Sequence, residues 1–258
     1  WVAVGWRKPA EVCLPAGEYL AKKDITFIPR AATEIQADKK TVITDAGQKI
    51  EYDYLLICTG PKLAFEEIKG AGPEAGFTQS ICTTPHATKA WAAYEEFLKN
   101  PGPIVIGAVQ MASCFGPAYE FAMIIDADLR KRKLRDRVPM TFVTSEPYIG
   151  HMGLGGVGDL KGLMESEFRQ RHIKWITNAK IDEVTENSIS ASEVDVKGVV
   201  QTEHKLPFNF SMLLPAFKGV AAVANVEGLC NPRGFVLVDK HQRSVKYPNI
   251  FAAGVCVA

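Results

Sequence analysis

The chain is predicted to be an α/β protein built on a parallel sheet, from three observations. Segments of strand and helix character alternate in the order βαβαβ between residues 102 and 176, which requires crossover connections and therefore parallel strands. Two runs, at 52–61 and 102–107, are largely apolar and too short for a helix, the pattern of strands buried on both faces. Glycine or Gly-Pro closes each run (Gly60-Pro61 and Gly107), as a tight strand exit requires.

In chain order, residues 25–32 read as a short strand, and 40–45 with 48–52 read as a hairpin across Ala46-Gly47, because polar and apolar positions alternate there. Residues 52–61 follow as a buried strand. The stretch 62–80 is rich in Gly, Pro and Glu and reads as a connection. From 85 to 99, Ala87, Ala90, Trp91, Tyr94, Phe97 and Leu98 recur at helical spacing. The strand at 102–107 then feeds a helix at 118–133. A strand at 140–144, a helix at 159–171 and a strand at 173–176 extend the order. Residues 181–210 give further short strands, 211–215 a buried one, and 235–239 and 249–254 two closing strands. No internal repeat is evident.

Composition sets the outer limits. With 258 residues, 47% hydrophobic and 23% charged, the chain can bury a large core and is expected to hold one large or two medium domains. A formal net charge of +1 gives no electrostatic case for nucleic acid, and no apolar run reaches membrane-spanning length. Six cysteines (Cys13, Cys58, Cys82, Cys114, Cys230, Cys256) are scattered without a C-x-x-C pair, which argues against a metal site or a disulfide scaffold. Most are expected to be buried, inert thiols. The chain opens on Trp1 with no signal-peptide pattern and stops inside the apolar run 250–258, so it reads as an internal segment truncated at both ends.

Residues 107–120, Gly-Ala-Val-Gln-Met-Ala-Ser-Cys-Phe-Gly-Pro-Ala-Tyr-Glu, occupy the place of a nucleotide-binding loop without spelling one. A G-x-G-x-x-G turn brings bare backbone N–H groups and a helix N-terminus against a pyrophosphate. Here Val109 takes the second glycine's place, and a thiol, Cys114, stands just before the helix. A helix N-terminus favours the thiolate form of a nearby cysteine.

Several blocks carry a resemblance. Residues 52–61, Tyr-Asp-Tyr-Leu-Leu-Ile-Cys-Thr-Gly-Pro, resemble the Y-D-x-L-x-x-A-T-G-P segment of two-dinucleotide-domain flavoproteins, and Asn249-Ile250-Phe251-Ala252-Ala253-Gly254 resembles their second flavin motif. More narrowly, the blocks 79–87 (QSICTTPHA), 112–120 (ASCFGPAYE), 145–151 (SEPYIGH) and 215–219 (PAFKG) resemble, in order, those of bacterial sulfide:quinone oxidoreductases. The resemblance runs along essentially the whole chain. It implies a glutathione-reductase-like pair of Rossmann-type domains: a first part of an FAD-binding domain at 1–99, an NAD(P)-binding-like domain carrying the redox cysteine at 100–218, and the second part of the FAD domain at 219–258. Complete members begin with a G-x-G-x-x-G unit and end with a region that carries a further cysteine and membrane-contacting helices; neither is in this chain.

The implied activity is FAD-dependent oxidation of sulfide to zero-valent sulfur or polysulfide, with electrons passed to a membrane quinone by a peripheral protein of a bacterial membrane. By resemblance, Cys114 is the redox cysteine beside the flavin and Cys82 the auxiliary one; Glu120 handles protons, and His86 and His151 relay them. The flavin contacts implied are Ala32, Thr59, Gly60, Gly254 and Val255, the last standing where many flavoproteins of the superfamily have an Asp for the ribityl chain. The plain structural reading is kept for Cys13, Cys58, Cys230 and Cys256 as core thiols, for His172, His204 and His241, and for Lys218, which reads equally as a surface lysine. A homo-oligomer is left open, and the isolated segment is expected to be inactive. Three other readings stand beside this one: a sulfide dehydrogenase feeding cytochrome c, a type 2 NADH:quinone oxidoreductase, and a flavin-free scaffold domain.

Overall fold

A computed structural model describes residues 1–155 and 157–258. The strands are β1 (Ala32–Gln36), β2 (Thr41–Thr44), β3 (Lys49–Glu51), β4 (Leu55–Ile57), β5 (Lys62–Leu63), β6 (Ile104–Ala108) and β7 (Met140–Thr144). They continue with β8 (Ile173–Ile176), β9 (Ala179–Val184), β10 (Ser188–Val194), β11 (Val200–Pro207), β12 (Phe210–Leu214), β13 (Phe217–Lys218) and β14 (Ile250–Ala252). The helices are α1 (Pro9–Val12), α2 (Ala16–Ala21), α3 (Thr84–Lys99), α4 (Gly116–Lys131), α5 (Leu160–Gln170) and α6 (Ala221–Ala224). The chain divides into two compact units, one of residues 1–13 and 64–216, the other of 14–63 and 217–258.

The first unit is built on a parallel sheet in the order β12-β6-β7-β8. Both faces are covered, which is why its strands read as apolar runs. On one face Ile104, Ile106, Phe142, Met212 and Met140 pack with Tyr94 of α3, with Tyr119, Phe121, Ile125 and Leu129 of α4, and with Phe168 of α5. The alternate residues Val105, Val143 and Leu213 point the other way, into a second cluster with Ile181, Val184, Ile189 and Ala191 of the antiparallel sheet β11-β10-β9. Gly107 is required by the close approach of β6 and β7: a Cβ there would lie 1.8 Å from the Val143 carbonyl oxygen. Helix α3 starts where Thr83 Oγ1 accepts from the His86 N–H at 3.2 Å, a side-chain N-cap. Asp128 of α4, buried, accepts from Tyr94 Oη at 3.0 Å and from Trp6 Nε1 at 2.9 Å, so the two helices are tied by polar as well as apolar contacts.

The second unit contains the meander β1-β2-β3, the parallel pair β4–β14 and the antiparallel pair β5–β13. The expected hairpin across Ala46-Gly47 is present as β2–β3, with Gly47 at φ 75°. Its core gathers Ile57, Val223, Leu229, Val236, Ile250, Ala252 and Cys256.

The structure corrects three expectations here. Residues 25–31 are not a strand, because no neighbour supplies a ladder among the described residues; pairing starts at Ala32. Residues 235–239 form only isolated bridges, Val236 with Cys230 and Val257, and Val238 with Ser244. The run 52–61 is not buried on both faces: Ile57 is in the core, whereas Leu56 is 63% exposed and Tyr54 and Cys58 are exposed too. Apolar composition therefore does not imply burial for this strand, since alternate side chains point to opposite faces and only one is covered within this unit.

Candidate functional site

In the first unit the thiol-bearing loop lies between β6 and α4. Its path is fixed by side chains where a nucleotide would need bare backbone. Val109, 2% exposed, is packed in the core, and Ala112 and Phe115 are buried as well. The Gln110 carboxamide makes two hydrogen bonds with the backbone of Ile181 in β9, donating from Nε2 to the carbonyl and accepting the N–H on Oε1, both at 2.9 Å. Ser145 Oγ donates to the Val109 carbonyl at 3.2 Å. Cys114, exposed, directly precedes Phe115, the N-cap of α4, as the sequence predicts.

Cys82, on the turn before α3, is brought close to Cys114. Burial by the surrounding protein, the larger influence, and the nearby Cys114 thiol together push the Cys82 thiol above its ordinary value. Cys82 is nevertheless open on one side, toward a cavity of about 420 Å³ that it lines together with Val12, Thr84, Pro117, Glu120 and Phe121. The structure thus gathers Cys82, Cys114 and Glu120 in one region of one unit.

His86 lies in the first turn of α3 with Nδ1 3.1 Å from Ser80 Oγ, and its ring meets Phe65 edge to face. The ring of His151 lies against Tyr148 at 5.2 Å in a T-shaped pair. Lys161 sits over the same Tyr148 ring.

One residue outside the expected set has a clear structural role. Beyond β7 comes Glu146, 2% exposed, whose carboxylate accepts from Tyr119 Oη at 2.7 Å, from Thr144 Oγ1 at 2.7 Å and from the Met152 N–H at 2.6 Å. Tyr119 Oη in turn accepts from the Gly150 N–H at 2.9 Å, and desolvation with the Glu146 hydrogen bond drives the phenol far above its usual range. A dinucleotide-binding domain keeps an acidic side chain free for a ribose hydroxyl. This one is occupied inside the fold.

The other cysteines divide differently from expectation. Cys13 and Cys58 are exposed, not core residues; Cys13 Sγ lies 3.6 Å from Thr84 Oγ1. Cys256 is buried, with Ala253 and Ile57 carbonyls within hydrogen-bond reach of its thiol. Burial pushes the half-buried Cys230 thiol up to about 11, with Cys256 adding to the rise. At pH 8 a thiol of that pKa is ionised in roughly one molecule in a thousand. Iodoacetamide labelling of Cys230, followed by peptide mass spectrometry, is therefore expected to be very slow at pH 8 and to rise about tenfold per pH unit until near pH 11.

In the second unit the expected flavin contacts cluster at strand ends. β4 and β14 run parallel, with Leu55 opposite Ile250 and Ile57 opposite Ala252, and their carboxyl ends lead to Thr59-Gly60 and to Gly254-Val255. Open α/β sheets bind ligands outside such ends. Gly60 (φ 65°) and Gly254 (φ 83°) have the backbone conformation that favours glycine, and no atom lies within 4 Å of where a Cβ would sit at either one. Thr59 Oγ1 donates to the Gly60 carbonyl at 3.2 Å, which leaves the hydroxyl oxygen able to accept. Ala32, Thr59, Gly254 and Val255 are exposed. These residues fit a cofactor that approaches the backbone closely. The Val255 side chain has no polar group to offer it, so a polar contact there falls to the backbone.

Among the described residues no helix is long and apolar enough to cross a membrane.

Comparison with known proteins agrees with this geometry. The chain is 42% identical over 259 residues to the sulfide-quinone reductase of Aquifex aeolicus, covering 100% of this chain and 58% of that protein. It is 25% identical over 238 residues to the mitochondrial sulfide:quinone oxidoreductase of Dictyostelium discoideum, covering 90% of this chain and 50% of the relative. The crystal structure of the Aquifex aeolicus sulfide:quinone oxidoreductase superposes with a TM-score of 0.91, again over 100% of this chain and 58% of the other. NDH2 from Plasmodium falciparum in complex with NADH, 14% identical, shares the fold with a TM-score of 0.69 over 89% of this chain and 50% of its own. The chain therefore spans between half and three-fifths of the length of these relatives. The model of the pyridine nucleotide-disulphide oxidoreductase family matches residues 5–258, and the chain belongs to that family.

Proposed function

We propose that the full-length protein is a sulfide:quinone oxidoreductase, a flavoprotein that oxidises sulfide to zero-valent sulfur or polysulfide and reduces a membrane quinone. The observation that supports this most is the pairing of Cys82 with Cys114 in a dinucleotide-type unit whose nucleotide loop is filled by its own side chains. The 42% identity to the Aquifex aeolicus sulfide-quinone reductase supports the same reading. The division into FAD domain (1–99 and 219–258) and redox-cysteine domain (100–218) belongs to the proposal, as does peripheral association with a bacterial membrane; the two compact units differ from that division in grouping residues 64–99, Cys82 among them, with Cys114.

Oxidation of sulfide releases two electrons and a proton (HS⁻ → S⁰ + H⁺ + 2e⁻), and quinone takes up two electrons and two protons. FAD, when bound, supplies a two-electron carrier between them; Ala32, Thr59, Gly60, Gly254 and Val255 would hold it. Cys114 acts as the thiolate that takes the zero-valent sulfur, and Cys82 as the second thiol that shares or extends the sulfur chain. A persulfide keeps the sulfur covalently bound until it leaves. Glu120, on the wall of the cavity beside Cys82, accepts or returns protons, and His86 and His151 carry them to and from solvent.

The reading that these residues serve a type 2 NADH:quinone oxidoreductase loses support from two features. Val109 is buried where the nucleotide loop needs a glycine, and Glu146 is tied into the fold. Anaerobic reduction of a soluble quinone by the purified full-length protein tests the choice. Sulfide is expected to drive it and NADH to leave it unchanged, with flavin absorbance bleached by sulfide; the reverse pattern would overturn the proposal.

A further inference from the structure

The loop that carries Cys114 is braced at both ends. At its start the Val109 N–H donates to the Leu214 carbonyl at 3.0 Å, and the Val109 carbonyl accepts from Ser145 Oγ at 3.2 Å. At its end the contacts come from the segment that follows β7. Tyr119, 3% exposed on α4, donates its hydroxyl hydrogen to Glu146 and accepts the Gly150 N–H at 2.9 Å, while Glu146 also accepts the Met152 N–H at 2.6 Å. Two backbone groups of residues 150–152 are thus held by a pair of buried side chains. Met152 has φ 54°, a conformation uncommon outside glycine that the surrounding structure has to maintain. The next residue, Gly153, backs onto Phe115: a Cβ built there would lie 3.5 Å from the ring. Ile149 belongs to the same buried cluster as Phe115 and Tyr119. Phe115 in turn follows Cys114 directly and opens α4, its carbonyl accepting the Ala118 N–H at 3.0 Å.

We propose that Tyr119 and Glu146 are positioning residues for Cys114: they latch residues 150–153 against the Phe115 ring, and the ring keeps the thiol at the start of α4. Neither residue touches the reacting sulfur. Cys114 is exposed, so its place depends on the buried residue beside it. A helix start favours a thiolate only within its first turn, because the influence of the free N–H groups falls off quickly. Misplacing a reacting group by about 1 Å can cost on the order of 100-fold in rate. A latch that fixes Phe115 therefore acts on both the ionisation and the aim of the sulfur. The acidic side chain that a dinucleotide-binding domain offers to a ribose serves, in this unit, to hold the thiol's loop. The inference rests on the proposed function for the part Cys114 plays in sulfide oxidation; the latch itself is read from the contacts.

Tyr119→Phe removes one oxygen and keeps the ring that packs on Phe142 and Phe168. It alters no charge at neutral pH, and the titratable groups on the elements around the loop, Cys82 before α3, Glu120 on α4, and Glu146 and His151 after β7, are all retained. A change in Cys114 reactivity then reports its position. The test is the rate of Cys114 labelling by iodoacetamide in the full-length protein, read by peptide mass spectrometry without sulfide or quinone. At pH 7.5 Tyr119→Phe is expected to slow it about fivefold, while labelling of Cys58, in the second unit, stays as in the parent. At about pH 10.5, where an ordinary thiol ionises unaided, the two proteins are expected to converge. Phe115→Leu, which removes the ring that transmits the contact, is expected to slow labelling similarly, and the double variant to be no slower than either single one, because the two act in series. In steady state Tyr119→Phe is expected to lower kcat for sulfide-dependent quinone reduction about tenfold and to leave KM for quinone unchanged. A lower thermal midpoint with Cys114 labelling unchanged would overturn the proposal by making the hub structural only. Losses that multiply in the double variant, or equal slowing at both pH values, would overturn it too. Labelling that slows as described in a protein that does not couple sulfide to quinone would leave the latch standing and bring down the functional reading.

Discussion

Replacing Cys114 with serine in the full-length protein is expected to lower sulfide-dependent quinone reduction by about 10³-fold or more, because a covalent nucleophile is lost and no other group takes its place. Serine nearly matches the thiol in size, but its hydroxyl stays protonated where a thiol ionises and cannot hold sulfur as a persulfide. The side chain is exposed and outside the core clusters, so folding is expected to be unaffected. Flavin content and thermal midpoint should match the parent protein. Steady-state quinone reduction with sulfide as donor measures the effect directly, and turnover within a few-fold of the parent would remove Cys114 from the chemistry. The same change at Cys58 serves as a contrast: that thiol is also exposed, yet it lies in the second unit, outside the group formed by Cys82, Cys114 and Glu120.

Glu146→Ala is expected to destabilise the protein by roughly 3–5 kcal/mol, the usual consequence of removing one partner from a buried charged hydrogen-bond network. Three donors, Tyr119 Oη, Thr144 Oγ1 and the Met152 N–H, would lose their acceptor where water cannot easily replace it. Glu146→Gln keeps the shape and one acceptor oxygen but turns an N–H₂ group toward donors, so a smaller loss of about 1–3 kcal/mol is expected. The residue also ties both Thr144 at the end of β7 and Met152 to one point. Its loss should expose residues 147–155 to limited proteolysis at a temperature where the parent is resistant. A thermal midpoint and a cleavage pattern both unchanged in Glu146→Ala would show that the network contributes little to the fold.

Much of the first unit was legible in the sequence. The apolar runs of β6 and β12, the helical spacing of Trp91, Tyr94 and Phe97, and the thiol placed before α4 each express a local or period-based preference that the tertiary structure keeps. The absence of a working nucleotide loop was equally legible, since Val109 stands where only glycine would admit a phosphate. Ser80 lay within a block already singled out for Cys82 and His86, but its contact with the imidazole depends on a turn that folds its hydroxyl back against the ring.

The sequence by itself determined the layered α/β plan, the order of its elements and the family blocks, because hydrophobic period and turn chemistry are local properties of the chain. Tertiary structure alone decided which polar groups meet. It turned Glu146 inward onto Tyr119, set Cys82 beside Cys114 across intervening sequence, and left Cys58 and Leu56 in the open although both sit in an apolar run. The reason is that burial and ionisation depend on what packs against a side chain from elsewhere in the fold, and no pattern within a single segment carries that information.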